Sequence, residues 1–159
     1  MKGPAALQFG KPEPGVAYRD RPAAFGIAPR DGRIALVRVT TPTAPPWFDL
    51  PGGALDPGED DAAALVREFG EETGLKVTAG APVTRADQLF RKSDGEAVNN
   101  RAGIYEAEVS GEDPRLKIEA DHELVWMEPR DAIVRLRHDS HAWAVLAWLR
   151  ALDRTASRD

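Results

Sequence analysis

Apolar residues along this chain fall into short runs and two longer amphipathic segments. Six runs have the apolar content expected of β-strands, at positions 23–28, 34–39, 75–78, 88–92, 101–110 and 124–127. Between the first two runs, an Asp-Gly pair within 29–33 predicts a hairpin or tight turn. The Pro-rich segment 40–46 is expected to be a loop.

Periodicity is strongest over 60–73, where the spacing of apolar side chains predicts an α-helix with one buried stripe. The members of this stripe are Ala62, Leu65, Val66, Phe69 and Thr73. Gly74 follows directly and is expected to end the helix as its C-terminal cap.

A closing helix is expected over 139–152, with Asp139 or Ser140 as its N-cap. Strand and helix segments interleave irregularly, which favours an α+β or αβα layered domain. The length suits a single domain, which we assign to 21–153. Residues 1–20 are rich in Pro and Gly and predict an N-terminal arm that is ordered only if it docks, and 154–159 are expected to be a tail.

Composition and charge narrow the classes of function. The hydrophobic fraction of 42% and charged fraction of 30% are typical of a globular protein. No segment approaches the roughly 20 apolar residues of a membrane span or has the features of a signal peptide, so a cytoplasmic location without a membrane partner is expected. The absence of cysteine excludes thiol chemistry. A net charge of −5 argues against binding of a nucleic-acid polymer but allows a small phosphorylated ligand.

Three carboxylates occupy one face of the predicted first helix. Glu68, Glu71 and Glu72 are related by i, i+3 and i+4 spacing, which places them close together. Like charges repel unless a cation or a proton relieves them, and the last turn of a helix disfavours negative charge. Hard divalent ions take oxygen ligands, so the cluster predicts a metal site.

The residues around this cluster resemble the signature of the Nudix hydrolases, G-x5-E-x7-R-E-U-x-E-E-x-G-U, where U is a bulky apolar residue. The matching positions are Gly53, Glu59, Arg67, Glu68, Phe69, Glu71, Glu72, Gly74 and Leu75. Phe69 is larger than the usual aliphatic residue but keeps its apolar character. The preceding Leu-Pro-Gly-Gly is also typical of the family.

This resemblance implies a fold and a reaction. The fold is an αβα sandwich with a central mixed β-sheet, and the reaction is attack of water on a diphosphate linkage, dependent on Mg²⁺ or Mn²⁺. By position, Glu68, Glu71 and Glu72 are the implied metal ligands, together with the Gly53 carbonyl. Glu59 and Arg67 are implied to support the loop between Gly53 and the predicted helix. The general base stays open between Glu68, Glu71 and a carboxylate from a later loop.

Candidates outside the signature come from two sources. The acidic segment 119–126 resembles a loop that faces the metal site in this family, so Glu119 or Glu123 is a candidate ligand or base. Phosphate groups bind to Arg and Lys side chains, and nucleobases stack on aromatic side chains. The candidate substrate-binding residues are Arg38, Trp47, Phe48, Arg91, Arg101, Asp139 and His141.

Markers of two subfamilies are absent near 91–93, namely the proline of ADP-ribose hydrolases and the tyrosine of dinucleoside polyphosphate hydrolases. We therefore favour a MutT-like enzyme that converts a nucleoside triphosphate, oxidised or not, into nucleoside monophosphate and pyrophosphate. The alternatives are hydrolysis of ADP-ribose, an NDP-sugar or a dinucleoside polyphosphate, or a non-catalytic nucleotide sensor. The protein is expected to be a monomer or a homodimer.

Overall fold

The computed structural model describes residues 6–157, which form strands and helices in an α+β arrangement. The strands are β1 (Leu7–Phe9), β2 (Arg19–Ile27), β3 (Pro29–Arg30), β4 (Arg33–Thr41), β5 (Ala44–Asp49), β6 (Gly52–Ala54), β7 (Leu75–Arg91), β8 (Ala97–Glu112) and β9 (His122–Met127). The helices are α1 (Asp61–Thr73), α2 (Pro129–Arg135) and α3 (Asp139–Ala156), with a 3₁₀ turn at Pro114–Leu116. Within these residues, no helix is both long enough and apolar enough to cross a membrane.

The strands form two sheets. The larger has the order β1-β7-β8-β2-β6 and is mixed, because β1 is parallel to β7 and β2 is parallel to β8 while the other pairs are antiparallel. In the smaller sheet, β4 pairs with β3, β5 and β9, all antiparallel. The predicted α+β class with a central mixed sheet is confirmed.

Two apolar clusters fill the space between helices and sheets. One includes Phe25 and Ile104 of the large sheet together with Trp148 of α3. The other includes Leu65 and Phe69 of α1. Phe69 is fully buried, and a Cβ on Gly26 would lie 2.7 Å from its ring. This close approach anchors α1 on β2 and so fixes the position of the glutamate cluster.

The ends of α1 agree with the prediction, but its buried face differs from it. The Asp60 side chain caps the helix by accepting from the Ala63 N–H at 2.8 Å, and Gly74 ends it in a left-handed conformation with φ 76°. Val66 is 44% exposed and Ala62 is exposed, whereas Ala64 and Glu72 are buried. The stripe is rotated because the turn at Gly52 and strand β9 cover the side of the helix that carries Glu72.

Two other local predictions need correction. The segments 75–78 and 88–92 belong to the single long strand β7, whose register shifts between Lys76 and Thr84 let it pass Pro82 without ending. The loop predicted at 40–46 is shorter, because β5 begins at Ala44. Its prolines are tolerated because β4 is the one strand that β5 pairs with, and the single further bridge of β5 is formed by Phe48 with Leu136.

The N-terminal end of the described chain packs onto the domain. In β1, Gln8 donates to the Asn99 side chain at 3.0 Å, so this part of the predicted arm extends the large sheet. Strand β2 begins at Arg19 and α3 continues to Ala156, beyond the limits assigned from sequence. Residues 1–5 of the arm and 158–159 of the tail lie outside the described residues.

Candidate active site

The turn that follows β5 and the short strand β6 bring backbone groups against the glutamate cluster. Gly52 has φ 143°, and a Cβ there would lie 2.2 Å from the Ala24 carbonyl oxygen, so the position requires glycine. The Gly52 N–H donates to Glu72 Oε1 at 2.8 Å. A Cβ on Gly53 would lie 2.9 Å from the Glu68 carboxyl group. The turn therefore holds one carboxylate and closely borders a second.

Glu72 is the most buried of the three glutamates, at 5% exposed. Its Oε2 lies 3.0 Å from His122 Nε2, and His122 Nδ1 lies 2.8 Å from Asp121 Oδ1. Burial raises the pKa of Glu72 to about 7, although the contacts with His122 and Gly52 act in the opposite direction. The hydrogen bond to Glu72 raises the pKa of His122 to about 9. Glu72 and His122 therefore form a buried, hydrogen-bonded pair.

Arg67 connects Glu68 and Glu71 to the loop that leads from β6 into α1. Its Nη1 lies 2.9 Å from Glu68 Oε1 and 3.2 Å from Glu71 Oε2. Its Nη2 donates to Glu59 at 2.8 Å and to the Ala54 carbonyl at 3.0 Å. These contacts lower the pKa of Glu59 to about 2, mainly through the hydrogen bond with Arg67. One oxygen of Glu68 and one of Glu71 remain without an Arg67 contact.

The facing loop brings further carboxylate oxygens close to the end of α1. Glu119, Asp121 and His122 place ligand atoms within 4.8 Å of one another. The Glu119 N–H donates to the Glu71 carbonyl at 3.0 Å, which fixes this loop to the end of α1. Burial also raises the pKa of Glu68, with nearby Glu71 and Glu119 acting in the same direction. Closely spaced, partly buried carboxylates of this kind fit a hard divalent cation.

Three candidates from the sequence lie on the opposite face of the small sheet. Alternation along β9 directs His122 towards α1 and Glu123 away from it. Glu123 lies 3.8 Å from Arg38 instead. Phe48 pairs with Arg38 across β4 and β5 and has the Arg135 guanidinium 4.6 Å from its ring centroid. The structure does not bring Glu123, Arg38 or Phe48 to the glutamate cluster.

A cleft of two adjoining cavities opens beside the cluster. The inner cavity, about 110 Å³, is lined by Arg21, Phe25, Asp49, Leu50, Gly52, Gly53, Glu72, Phe90, Asn100, His122, Arg137, His138 and His141. The outer cavity, about 180 Å³, is lined by Val39, Thr41, Trp47, Asp49, Phe90, Lys92, Ser93, Asp121, His122 and Arg137. Of the substrate-binding candidates, Trp47 and His141 therefore lie at the cleft.

His141 has a structural contact in addition to its place at the inner cavity. Its Nδ1 accepts the Leu50 N–H at 3.1 Å, and its ring lies 4.5 Å from that of Phe25. Complete burial lowers the pKa of His141 to about 3. The neutral ring therefore supports the strand end that leads into the Gly-Gly turn.

Arg137 occupies the junction of the two cavities. Its Nε and Nη2 contact the Asp49 carboxylate at 3.1 and 2.6 Å. Its guanidinium lies 4.4 Å from the Trp47 ring centroid and 5.5 Å from that of Phe90. Trp47 Nε1 also donates to Asp49 at 3.1 Å. The guanidinium is thus held by a bidentate ion pair and an aromatic face, which fixes its orientation.

The remaining candidates do not line the cleft. Arg91 is paired with Glu13 at 2.5 Å, and Arg101 is paired with Asp87 at 2.6 Å. Asp139 is exposed at the start of α3. Neither Asp139 nor Ser140 is the N-cap, which is His138 without a side-chain capping bond. The Ser140 N–H is instead satisfied by the Gln88 side chain at 3.1 Å.

Sequence reasoning missed several cleft residues, namely Arg21, Asp49, Phe90, Asn100, Arg137 and His138. They come from β2, β5, β7, β8 and the segment before α3. The only local signals were the Asn-Asn pair at 99–100 and the basic, histidine-containing segment before 139. Neither signal indicates which face of the fold the side chains occupy.

Comparisons with known proteins agree with this geometry. The sequence profile of the NUDIX domain matches residues 18–149. A MutT NUDIX hydrolase from Burkholderia pseudomallei is 31% identical and superposes with a TM-score of 0.62, over 81% of this chain and 98% of that one. A NUDIX hydrolase from Nitrosomonas europaea, 19% identical, shares the fold with a TM-score of 0.69 over 84% of this chain and 90% of that one.

An RNA pyrophosphohydrolase from Sphingopyxis alaskensis is 41% identical over 49 residues, which is 31% of this chain and 30% of that protein. The matched segments span less than a third of the length of the curated relatives. With a profile match over most of its length, the chain belongs to the Nudix hydrolase family.

Proposed function

We propose that the protein is a pyrophosphohydrolase that requires a divalent metal ion and cleaves a diphosphate linkage in a nucleoside diphosphate joined to another group. The observation that supports this most directly is the position of Gly52 and Gly53 at the inner end of a cleft, where Gly52 binds Glu72 and Gly53 lies close to Glu68. Glu71 lies beside these two glutamates in the last turn of α1. The glutamate cluster would bind the diphosphate through the metal ion, and the cleft would bind the nucleoside attached to it.

The chain's own residues prepare the metal site. Glu68, Glu71, Glu72 and the Gly53 carbonyl would hold Mg²⁺ or Mn²⁺, with Glu119 as a further ligand or as the base. A bound ion of this kind neutralises phosphate charge and lowers the pKa of its bound water. Arg67 restrains Glu68 and Glu71 by direct ion pairs at the end of α1. A carboxylate that is not engaged in ligation accepts the proton of the attacking water.

The cleft suits the nucleoside part of such a substrate. Two guanidiniums lie near Phe90, with Arg21 at 5.7 Å and Arg137 at 5.5 Å from its ring centroid. Aromatic and guanidinium surfaces bind flat heterocycles through stacking. We favour a nucleoside triphosphate that is converted to the monophosphate and pyrophosphate, supported by the similarity to the MutT protein over nearly its whole length.

A substrate panel tests the proposal. We expect turnover with Mg²⁺ or Mn²⁺ on at least one of (d)NTPs, oxidised dGTP, ADP-ribose, NDP-sugars, dinucleoside polyphosphates and 5′-triphosphorylated RNA. Glu72→Gln should reduce kcat by about 100-fold or more because it removes a charged ligand. Glu108→Gln, on an exposed position of β8, is the matched control.

No turnover on any member of the panel would refute the enzymatic proposal and favour a nucleotide sensor. A leading activity on ADP-ribose, an NDP-sugar, a dinucleoside polyphosphate or RNA, by tenfold or more over every nucleoside triphosphate, would refute the MutT-like assignment alone.

A further inference from the structure

His122 contacts the glutamate cluster and has both of its ring nitrogens directed at carboxylates. Its Nε2 lies 3.0 Å from Glu72 Oε2, and its Nδ1 lies 2.8 Å from Asp121 Oδ1. The His122 side chain is 20% exposed, so one edge of the ring can be reached from solvent. His122 lies outside the segment 53–75 that carries the family signature, and the signature therefore assigns it no function.

The contact with Asp121 is typical of a histidine that binds a metal ion. Such a histidine almost always donates its second ring N–H to a carboxylate or a carbonyl, which fixes the tautomer and the orientation of the ring. When Nδ1 of a neutral ring donates to Asp121, the free lone pair belongs to Nε2. Nε2 is the nitrogen that faces Glu72. The ring is thus oriented with a ligand nitrogen towards the glutamate cluster.

The distance between the His122 and Glu72 side chains also fits two ligands of one ion. An octahedral ion with bonds of about 2.1 Å holds neighbouring ligand atoms about 3.0 Å apart. This is the separation of His122 Nε2 and Glu72 Oε2. The other oxygen of Glu72 accepts the Gly52 N–H at 2.8 Å, so Oε2 is the oxygen that is available to an ion. A bound ion would replace the hydrogen between Nε2 and Oε2.

Backbone hydrogen bonds hold His122 in this position from two sides. The His122 N–H donates to the Glu119 carbonyl at 3.2 Å, and the Glu119 N–H donates to the Glu71 carbonyl at 3.0 Å. The Thr40 N–H donates to the Asp121 carbonyl at 3.0 Å, which fixes the loop to β4 as well. Ligands that are restrained before an ion binds form a preorganised metal site.

We propose that His122 is a metal ligand of this protein, with Nε2 binding the same divalent ion as Glu72 and with Asp121 as the positioning residue for the ring. This inference rests on the proposed function, since it concerns the metal centre of that enzyme. It also predicts an ion preference. Mg²⁺ favours oxygen ligands, whereas transition-metal ions also accept imidazole. The centre should therefore select Mn²⁺ over Mg²⁺ more strongly than a site made of oxygen ligands alone.

Electron spin echo envelope modulation of bound Mn²⁺ tests the ligand in the wild-type protein. At less than one Mn²⁺ per chain we expect modulation from a directly bound ¹⁴N nucleus. This modulation should change to that of ¹⁵N when the histidines alone carry ¹⁵N, a label to which a backbone amide does not respond. Absence of nitrogen modulation, or modulation that the histidine label does not alter, overturns the inference.

A variant assigns the nitrogen to His122. His122→Gln keeps an amide that can donate to Glu72 but removes the imidazole, so the histidine modulation should disappear. Glu123→Gln, whose side chain lies on the opposite face of β9 beside Arg38, should retain it. Retained histidine modulation in His122→Gln overturns the inference. If that variant does not fold, the same comparison is made with His122→Asn.

Ion selectivity separates a ligand from a residue that only supports Glu72. Mn²⁺ affinity, measured by electron paramagnetic resonance, should fall by about tenfold or more in His122→Gln, and Mg²⁺ affinity, measured by competition, should fall by several-fold less. A merely structural role would weaken binding of both ions equally. Equal losses for Mn²⁺ and Mg²⁺ therefore overturn the inference.

A second variant tests the positioning residue. Asp121→Ala leaves the His122 ring in place but removes the group that orients it, so Mn²⁺ affinity should fall by about tenfold while histidine modulation remains. Asp153→Ala, on an exposed position of α3, is the matched control and should bind Mn²⁺ as the wild-type protein does. Wild-type Mn²⁺ affinity in Asp121→Ala overturns the role given to Asp121.

The spectroscopic result and turnover distinguish this inference from the proposed function. Histidine modulation in a protein that hydrolyses no member of the substrate panel refutes the enzymatic proposal and supports the ligand. Hydrolysis that depends on Mn²⁺, in a protein whose bound Mn²⁺ shows no histidine modulation, overturns the ligand and supports the enzymatic proposal.

Discussion

The neighbouring glycines Gly52 and Gly53 at the start of β6 should respond to the same added methyl group in different ways. At Gly53 the new Cβ would lie 2.9 Å from the Glu68 carboxyl group, which is the movable end of a side chain. In Gly53→Ala we therefore expect Glu68 to shift by several tenths of an ångström at a loss of less than about 1 kcal/mol in unfolding free energy. Misplacing a catalytic group on this scale should lower kcat/KM by about 10- to 100-fold and weaken Mn²⁺ binding.

At Gly52 the methyl group meets backbone that is not free to move. The added Cβ would lie 2.2 Å from the Ala24 carbonyl oxygen and 2.6 Å from the Phe25 Cα, and φ is 143°. Strained backbone at a non-glycine residue costs about 1–3 kcal/mol, and the clash adds to it. At about 2–4 °C per kcal/mol for a protein of this size, Gly52→Ala should lower Tm by roughly 5–15 °C.

Thermal unfolding and Mn²⁺ titration of both variants check this reasoning. Gly58→Ala is the control for backbone conformation alone, because φ is 83° there and no atom lies within 4 Å of the added Cβ. Its loss should be about 1–2 kcal/mol, without a specific effect on Mn²⁺ affinity. The argument is refuted if Gly53→Ala unfolds as early as Gly52→Ala, or if it binds Mn²⁺ as the wild-type protein does.

Further predictions concern the facing loop, the ion-pair network and a buried histidine. Glu119→Gln should weaken Mn²⁺ binding or lower kcat by about tenfold or more, while Glu123→Gln, on the opposite face of β9, should change neither; equal effects would contradict the placement. Arg67→Lys should lower kcat/KM by about tenfold or more because one ammonium cannot reproduce the forked contacts, and wild-type kinetics would exclude that role. The pKa of His141 is lowered to about 3 in the folded protein, so as pH falls the imidazole is protonated in the unfolded chain before it is protonated in the folded one. The free energy of unfolding should therefore decrease as pH falls below about 6.5. Between pH 7 and pH 5 urea unfolding should show a loss of about 2 kcal/mol that His141→Asn lacks, and identical pH profiles would refute the assignment.

The first helix was predictable because its determinants are local. Asp60 and Gly74 act on backbone groups within one turn, and the spacing of the glutamates is a property of the helix itself. The rotation of its buried face was not predictable, because it depends on contacts made by Glu72. Those contacts come from Gly52 and His122, which are distant in sequence.

The cleft was harder to predict because its residues meet only through contacts between segments that are distant in sequence. Arg21 meets Asn100 across parallel strands β2 and β8, at a sequence separation of 79. Arg137 meets Asp49 at a separation of 88. No spacing rule connects such positions, so the sequence could identify basic and aromatic residues but not their partners.

Strand alternation explains the errors between adjacent candidates. Trp47 and Phe48 are equivalent by residue type, yet their side chains lie on opposite faces of β5, and only Trp47 reaches the cleft. Glu123 follows the same rule on β9, because its neighbour His122 faces Glu72. The alternation itself is general, but the face that meets α1 is set by the tertiary fold.

The most direct test of the proposed enzymatic function is product analysis during hydrolysis of a nucleoside triphosphate, followed by phosphorus NMR with Mg²⁺ present. We expect nucleoside monophosphate and pyrophosphate in equal amounts, with formation stopped by EDTA and reduced about 100-fold or more in Glu72→Gln but not in Glu108→Gln. Release of orthophosphate with nucleoside diphosphate, or a Glu72→Gln variant as active as the wild-type protein, would contradict the account.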